Sequence, residues 1–346
     1  MEFLTLWAFL GFLFAVYAVT ANDSIQTLGT FISSNRDDVK WYWMFAYMGS
    51  IFAITMLIGF FGGDPAFERL DHLHFFPETE NPDKLSDELR PRIVIEWYHA
   101  LAPLVLILLT RLKIPVSTTF LVLSIFAIST DNLMEEMLEK SFLGYAVSFV
   151  FAFSAWYLIT KYILYEGDKG DNKYNFSWRV FQWITTGYLW ATWLNHDMAN
   201  ILVFLPRYGT DTATTIFFPL LVIGAMLLGL GFMFYERGGK IQEIVLSKTN
   251  TRYIRSATLI DLVYCFVLVY FKEMNSIPMS TTFVFMGMLA GRETAIWFVH
   301  GYGKLTYTDK KMKGIFPMLY SDFMRLMLGL AVSVTLAYGI LWYSNL

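Results

Sequence analysis

The sequence predicts an all-α polytopic membrane protein built from two inverted repeats, each combining transmembrane helices with a re-entrant helical hairpin. Three observations predict it. Hydrophobic residues fill 56% of the 346 positions and charged residues 16%, with a mean hydropathy of +0.47, which leaves too little polar surface to coat a water-soluble globule. Long uncharged runs recur at the length needed to cross roughly 30 Å of hydrocarbon, about 20 helical residues. The chain also writes one polar-centred heptapeptide twice, IPVSTTF at 114–120 and IPMSTTF at 277–283, six of seven residues identical across 163 positions.

The elements follow in order. Residues 3–22 carry no charge and open a first span over 3–34; the MEF start lacks the basic region of a cleaved signal peptide, so this span is expected to be retained. A second span covers 41–62, and the acidic stretch 62–91 reads as an exposed loop. Residues 92–140 run apolar, reach Pro-x-Ser-Thr-Thr, and run apolar again. Proline cannot continue a helical hydrogen-bond ladder, and Ser and Thr favour N-caps, so this motif should stop one half-helix and start another inside the membrane. A span at 141–165 completes a first repeat, 1–166, and the polar stretch EGDKGDNKYNFSW at 166–178 is the linker. The second repeat, 177–346, restates the order with a span at 178–206, a span at 212–236, a hairpin at 250–301 and a span at 315–344. Each half crosses an odd number of times, so the two must be inverted.

Orientation follows the Lys and Arg count. Fourteen fall on the side holding Arg36, Lys40, Lys169 and Lys310, against six on the side holding Arg69, Lys84, Lys140 and Arg207, which places the fourteen in the cytoplasm and both termini outside. A net charge of −3 argues against nucleic acid, and the single Cys265 excludes an internal disulfide framework or a thiolate metal site.

The repeated tips have a chemistry. The first N–H groups of a helix lack intrahelical partners, and the helix dipole places about half a positive charge there. Ser117, Thr118 and Thr119 add hydroxyl donors to one such end, and Ser280, Thr281 and Thr282 to the other. Two opposed tips near the bilayer midplane would form a cage for a tetrahedral oxyanion. The plainer reading, a Pro kink with hydroxyls bonded to the preceding turn, suits one copy better than two matched copies.

A second pair of stretches, TANDSIQ at 20–26 and LNHDMAN at 194–200, puts a carboxylate inside the lead span of each half. Asp23 and Gln26 share a helix face, as do Asp197 and Asn200, with Asn22 and His196 a turn before Gln26 and Asn200. Intramembrane carboxylates cost about 2.5–3.5 kcal/mol on insertion scales and mark function more often than packing. Hard oxygens clustered at a helix break suit Na⁺.

These residues resemble the inorganic phosphate transporter (PiT) family, whose repeats carry Gly-Ala-Asn-Asp-Val-Ala-Asn and Pro-Val-Ser-Thr-Thr-His signatures. The resemblance covers nearly the whole chain in the order of its elements and four short stretches in residue identity. It implies Na⁺ at Asn22, Asp23, Asp197 and Asn200, with the anion at the six tip residues. It also implies a secondary transporter importing phosphate with Na⁺, or H⁺ in some relatives, some of which carry sulfate; no cofactor is implied. The expected partners are phosphate or a related oxyanion, Na⁺ and the lipid bilayer of the cell membrane, with a homodimer left open. Gln26 stands where the family has its second signature Asn, His196 where the other half has its first, and Phe120 and Phe283 where each tip has His. Imidazole nitrogen is a poor ligand for a hard alkali ion, and His titrates near neutrality, so His196 points to proton coupling and sulfate import as the alternative. The two Phe residues should seal the backs of the tips. An intramembrane hydrolase using Ser117 or Ser280 would need a histidine base beside a tip, where Phe stands instead.

Asp322 and Arg325 read as a local ion pair, Arg292 and Glu293 as an exit or gate pair, and Asp261, Glu96 and His99 as residues that pair with neighbours or tune access.

Overall fold

The computed structural model describes residues 5–70, 95–112, 114, 116–127, 132–159, 176–205, 212–238, 242, 254–274, 279–300 and 315–344. Among the described residues there are helices and turns and no strand. Most of the acidic loop, most of the linker, and Pro115 and Pro278 of the tips lie outside them.

Helix α1 (Leu6–Ala18) begins where the Thr5 hydroxyl accepts from the Ala8 amide at 3.1 Å. It passes through a π-helical turn, Val19–Asp23, into α2 (Ser24–Asn35), so the lead span is one helix with a single widened turn at the acidic motif. Every residue of α2 is buried, which makes it the central post of the molecule. Helix α3 is Trp41–Phe61. The first hairpin enters through a tight turn, Trp97–Ala100, closed by a reciprocal cap between Glu96 and His99, then runs as α4 (Leu101–Arg111). Beyond the tip it returns as a π-helical turn, Thr119–Leu123, and the short α5 (Ser124–Ala127).

Helix α6 (Leu133–Ile159) begins eight residues before the expected start at 141. Leu133, Met134, Met137 and Lys140 are buried while Glu135, Glu136 and Glu139 are exposed, so the acidic residues form one face of a helix and not a break between elements. The second half holds α7 (Phe176–Asp197), a break at Met198 and a short α8 (Ala199–Leu202). A π-helical turn, Ala213–Phe217, leads into α9 (Phe218–Tyr235). The second hairpin consists of α10 (Ile254–Met274) and α11 (Thr281–His300), and α12 (Ile315–Ser344) closes the chain.

Among the described residues, five helical stretches are long and apolar enough to cross a bilayer: Leu6–Asn35, Trp41–Phe61, Leu133–Ile159, Thr215–Tyr235 and Ile315–Tyr343. Helix α7 has the length, 22 residues, but buries Gln182, Thr185, Thr186, His196 and Asp197 on its inner face.

Side-chain pairs fix the directions. Asn35 bonds Gln182 at 2.9 Å, while Thr30 and Thr186 both donate to Asp261, so α2 and α7, the lead helices of the two halves, run antiparallel. The indole of Trp190 donates to the Met48 carbonyl at 3.1 Å and Tyr47 to Trp183 O at 2.9 Å, so α3 and α7 run parallel. Contacts also exchange between halves: α6 packs on α11, α12 packs on the return arm of the first hairpin, and α3 packs on α9.

The α6–α11 seam is the tightest. A Cβ placed on Gly291 would lie 2.1 Å from the Phe149 carbonyl, and one on Gly287 would lie 2.3 Å from that of Tyr145, so these two glycines, one turn apart, let the backbones touch. One residue further on, Arg292 pairs with Glu293 at 2.6 Å and lies over the Trp156 ring at 4.9 Å, with both charged side chains at most 2% exposed.

Candidate functional site

Each tip serine caps the helix that follows it. Ser117 Oγ accepts from the Phe120 amide at 3.1 Å and Ser280 Oγ from the Phe283 amide at 3.2 Å, the local pattern that Ser favours at a helix start. The tips then meet. Thr282 donates to the Val116 carbonyl at 3.3 Å, and the Phe120 and Phe283 rings lie 6.0 Å apart behind them. Helix α6 braces the second tip, because Ser141 Oγ accepts from the Ser280 amide at 2.9 Å. Ser117, Thr118, Thr119, Ser280, Thr281 and Thr282 are all buried.

The acidic motif of each lead span reaches these tips. The Asn22 amide donates to Asp23 Oδ1 at 2.7 Å and to the Val116 carbonyl at 2.9 Å, tying the widened turn of the first span to the first tip. Gln26 Nε2 donates to Asn22 Oδ1 at 3.3 Å. In the second half Asn200 Nδ2 donates to Asp197 Oδ1 at 3.1 Å and reaches Thr119 Oγ1 at 3.5 Å. Thr118 lies against Asp23, Thr281 and Thr119 lie against Asp197, and the Asp197 carboxylate is near enough for its charge to bear on Asp23. Twelve sequence-predicted residues thus gather into one buried cluster, apart from the ring of His196. Its Nε2 lies 3.0 Å from the Leu268 carbonyl of α10, so the imidazole ties the break to the hairpin arm.

Four oxygens in this cluster, Asp23 Oδ2, Gln26 Oε1, Asp197 Oδ2 and Asn200 Oδ1, are buried with no donor in hydrogen-bonding geometry among the described residues. A buried acceptor left unsatisfied costs about 1–3 kcal/mol, so their grouping at the two breaks calls for a ligand that oxygens hold. Among the described residues no three His, Cys, Asp or Glu side chains gather as they would around a transition metal. Carboxylate, amide and hydroxyl oxygens suit an alkali cation, while the capped helix starts suit an anion.

Three neighbours escape the sequence motifs. Tyr264 on α10 is 1% exposed, bonds the Thr281 carbonyl at 3.3 Å and bears on both aspartates. Asp261, a turn earlier, takes the Thr30 hydroxyl at 2.5 Å and that of Thr186, cross-linking α2, α7 and α10. Arg69 comes from the segment after α3, where Phe67 and Glu68 have φ of 52° and 64° and Asp64 accepts from the Ala66 and Glu68 amides. Its Nε reaches the Asn195 carbonyl at 3.4 Å with only 2% of the residue exposed. Burial lowers this guanidinium to about 10, with the charges of Asp197 and Glu68 acting the other way, so it stays cationic at neutral pH. The sequence marks Asp261 as a residue that pairs with neighbours, and it does; no spacing announced Tyr264, and Arg69 is legible only as a loop charge.

No family model matches the chain, and no curated protein matches it. A search of solved structures returns a chain described as "The sodium-dependent phosphate transporter", with a TM-score of 0.57 and 17% identity, covering 100% of this chain and 99% of that one. Over its whole length this protein shares the all-helical, polytopic fold of that chain.

Proposed function

We propose that this protein is a secondary active transporter that imports inorganic phosphate by symport with Na⁺, working as two inverted repeats, 1–166 and 177–346. The observation that carries the reading is the Val116 carbonyl, which receives both Thr282 of the opposite tip and Asn22 of the acidic lead span. Anion donors and cation oxygens are thereby held within one cluster. The likeness to a sodium-dependent phosphate transporter supports the choice of ligands. The antiparallel lead helices and the exchanged hairpin contacts support the inversion.

Coupling follows from charge. Asp23 and Asp197 flank the tips and would repel an oxyanion placed between them, by Coulomb energies that grow as the surroundings dry. A cation bound at the unsatisfied oxygens of Asp23, Gln26, Asp197 and Asn200 removes that repulsion, so cation binding precedes anion capture. The hydroxyls of Thr118, Thr119, Thr281 and Thr282, with the amides of the two helix starts, then hold the anion. Rocking of one repeat against the other opens the cluster to the far side. The ion pair of Arg179 with Asp38 at 2.7 Å puts the turn after α2 and the start of α7 at one end, the end assigned to the cytoplasm of the cell membrane.

Two carboxylates, one bearing on the other, could also carry protons, which favours proton-coupled sulfate import as the second reading. Purified protein in proteoliposomes separates the two. Accumulation of labelled phosphate under an imposed Na⁺ gradient supports the first reading, and accumulation of sulfate under a pH gradient alone overturns it.

A further inference from the structure

A third carboxylate, Asp261 on α10, is buried as deeply as Asp23 and Asp197, at 1% exposure, yet it stands outside their cluster. Its Oδ1 accepts from the Thr30 hydroxyl of α2 at 2.5 Å and its Oδ2 from the Thr186 hydroxyl of α7, so one side chain joins the lead helices of opposite halves. Thr30 lies seven residues beyond Asp23, about 10 Å along the helix. Further toward the end where Arg179 meets Asp38, Gln182 Nε2 donates to Ser34 Oγ at 2.6 Å and Asn35 Nδ2 to Gln182 Oε1 at 2.9 Å. All three are buried, so a strip of polar side chains leads from Asp261 to that end.

A carboxylate in a dry interior has its charge neutralised by a cation or by a proton. Among the described residues no Lys, Arg or His pairs with Asp261; its partners are two neutral hydroxyls. The contrast with the cluster is in the oxygens. Asp23 Oδ2 and Asp197 Oδ2 lack a donor and stay open to a cation, whereas each oxygen of Asp261 already accepts one hydrogen bond. A hard cation gathers several oxygens around itself, and here both hydroxyls are spent on the carboxylate. A proton needs a single oxygen, and the threonine bonded to that oxygen then accepts instead of donating, as a hydroxyl can do either. The helices packed on α10 bring other titratable groups: Asp23 on α2, Arg179, His196 and Asp197 on α7, Lys140 on α6, and Arg292 with Glu293 on α11. Arg255, Tyr264 and Cys265 belong to α10 itself, and of all these only the Cys265 thiol, one turn on, is near enough to feel the Asp261 charge.

We propose that Asp261 is a proton-binding site separate from the anion and cation cluster, filled while α2, α7 and α10 are joined and emptied when they part. The step moves one proton between carboxyl and water, along the strip of Ser34, Gln182 and Asn35, and makes or breaks no other covalent bond. Because Thr30 belongs to one half and Asp261 to the other, the proton is held only when the halves are closed on each other at this end. Acid in the compartment that this end faces therefore favours closure, whichever cation drives uptake. Plain interhelical glue, the other use of buried hydroxyls in a membrane, needs no proton at all.

Infrared spectra of the purified protein in detergent at neutral pH read the carbonyl stretch of a protonated carboxyl group. Such a band is expected in the unaltered protein, to vanish in Asp261→Asn and to persist in Asp23→Asn and Asp197→Asn. Absence of the band, or its survival in Asp261→Asn, overturns the proposal. Should Asp261→Asn fail to fold, Thr186→Val decides, because loss of one hydroxyl partner shifts the band of a protonated Asp261 and leaves any other in place; an unshifted band overturns the proposal. Transfer into D₂O then follows the proton itself. Exchange at Asp261 is expected to be slow in the resting protein and to quicken at least about tenfold when Na⁺ and phosphate are added, since exchange requires the junction to open. That last expectation rests on the symport reading. Equal exchange with and without Na⁺ and phosphate, in protein that accumulates phosphate in proteoliposomes, overturns the link to opening. Failure to accumulate phosphate sinks the symport reading instead, and the band at neutral pH still decides the proton site.

Discussion

Thr282 on the second hairpin donates its hydroxyl to the carbonyl of Val116 on the first, at 3.3 Å. The two hairpins come from opposite halves of the chain, so this bond is a direct measure of whether the tips are closed on one another. Thr282→Val keeps the shape and deletes the donor. Uptake measured against phosphate concentration should show KM raised about tenfold, equivalent to ~1.4 kcal/mol and within the range of one hydrogen bond, with Thr282→Ser close to the unaltered protein.

Asp23→Asn should preserve assembly, because Asn keeps an oxygen able to accept from the Asn22 amide as Asp23 does at 2.7 Å. What it loses is the charge that recruits the cation. Na⁺-driven accumulation of phosphate in proteoliposomes should fall by at least about tenfold, with chromatographic behaviour in detergent unchanged.

The glycine seam makes a purely steric prediction. Gly291→Ala forces a methyl into the Phe149 carbonyl, where only 2.1 Å separates the two, whereas Gly224 and Gly339 have nothing within 4 Å of their added Cβ. Thermal unfolding should show Gly291→Ala destabilised by about 1–3 kcal/mol and the two controls unaffected.

The buried pair of Arg292 and Glu293 gives the fourth. Glu293→Gln leaves a guanidinium beside Trp156 without its carboxylate, for an expected loss of about 3–5 kcal/mol, whereas the double replacement Arg292→Met with Glu293→Leu should recover most of it. Chemical or thermal denaturation of the purified variants in one detergent checks both.

The repeated Ser-Thr-Thr heptapeptide and the two intramembrane aspartates were legible because their residue types carry local backbone or desolvation consequences wherever they occur. Ser117 and Ser280 cap helices by the same short-range bond that makes serine a cap anywhere. The depth of Arg69 was not legible, since it depends on the φ of Phe67 and Glu68, which neither side chain dictates. At the start of α6 the spacing exposes Glu135, Glu136 and Glu139 and buries Lys140, and only the packing of the helix decides which face turns inward. The Val116 carbonyl left no trace in sequence at all, because any residue supplies one. His196 meets the Leu268 carbonyl through Nε2, a partner 72 residues away that spacing cannot reveal.

Gly287 and Gly291 leave α11 no clearance from α6, so the second tip and that long helix form a single lever whose outer flank is exposed. Val150, 62% exposed on that flank, is therefore a handle on the site: a spin label fixed there would register displacement of Ser280 without touching any group that meets the cargo.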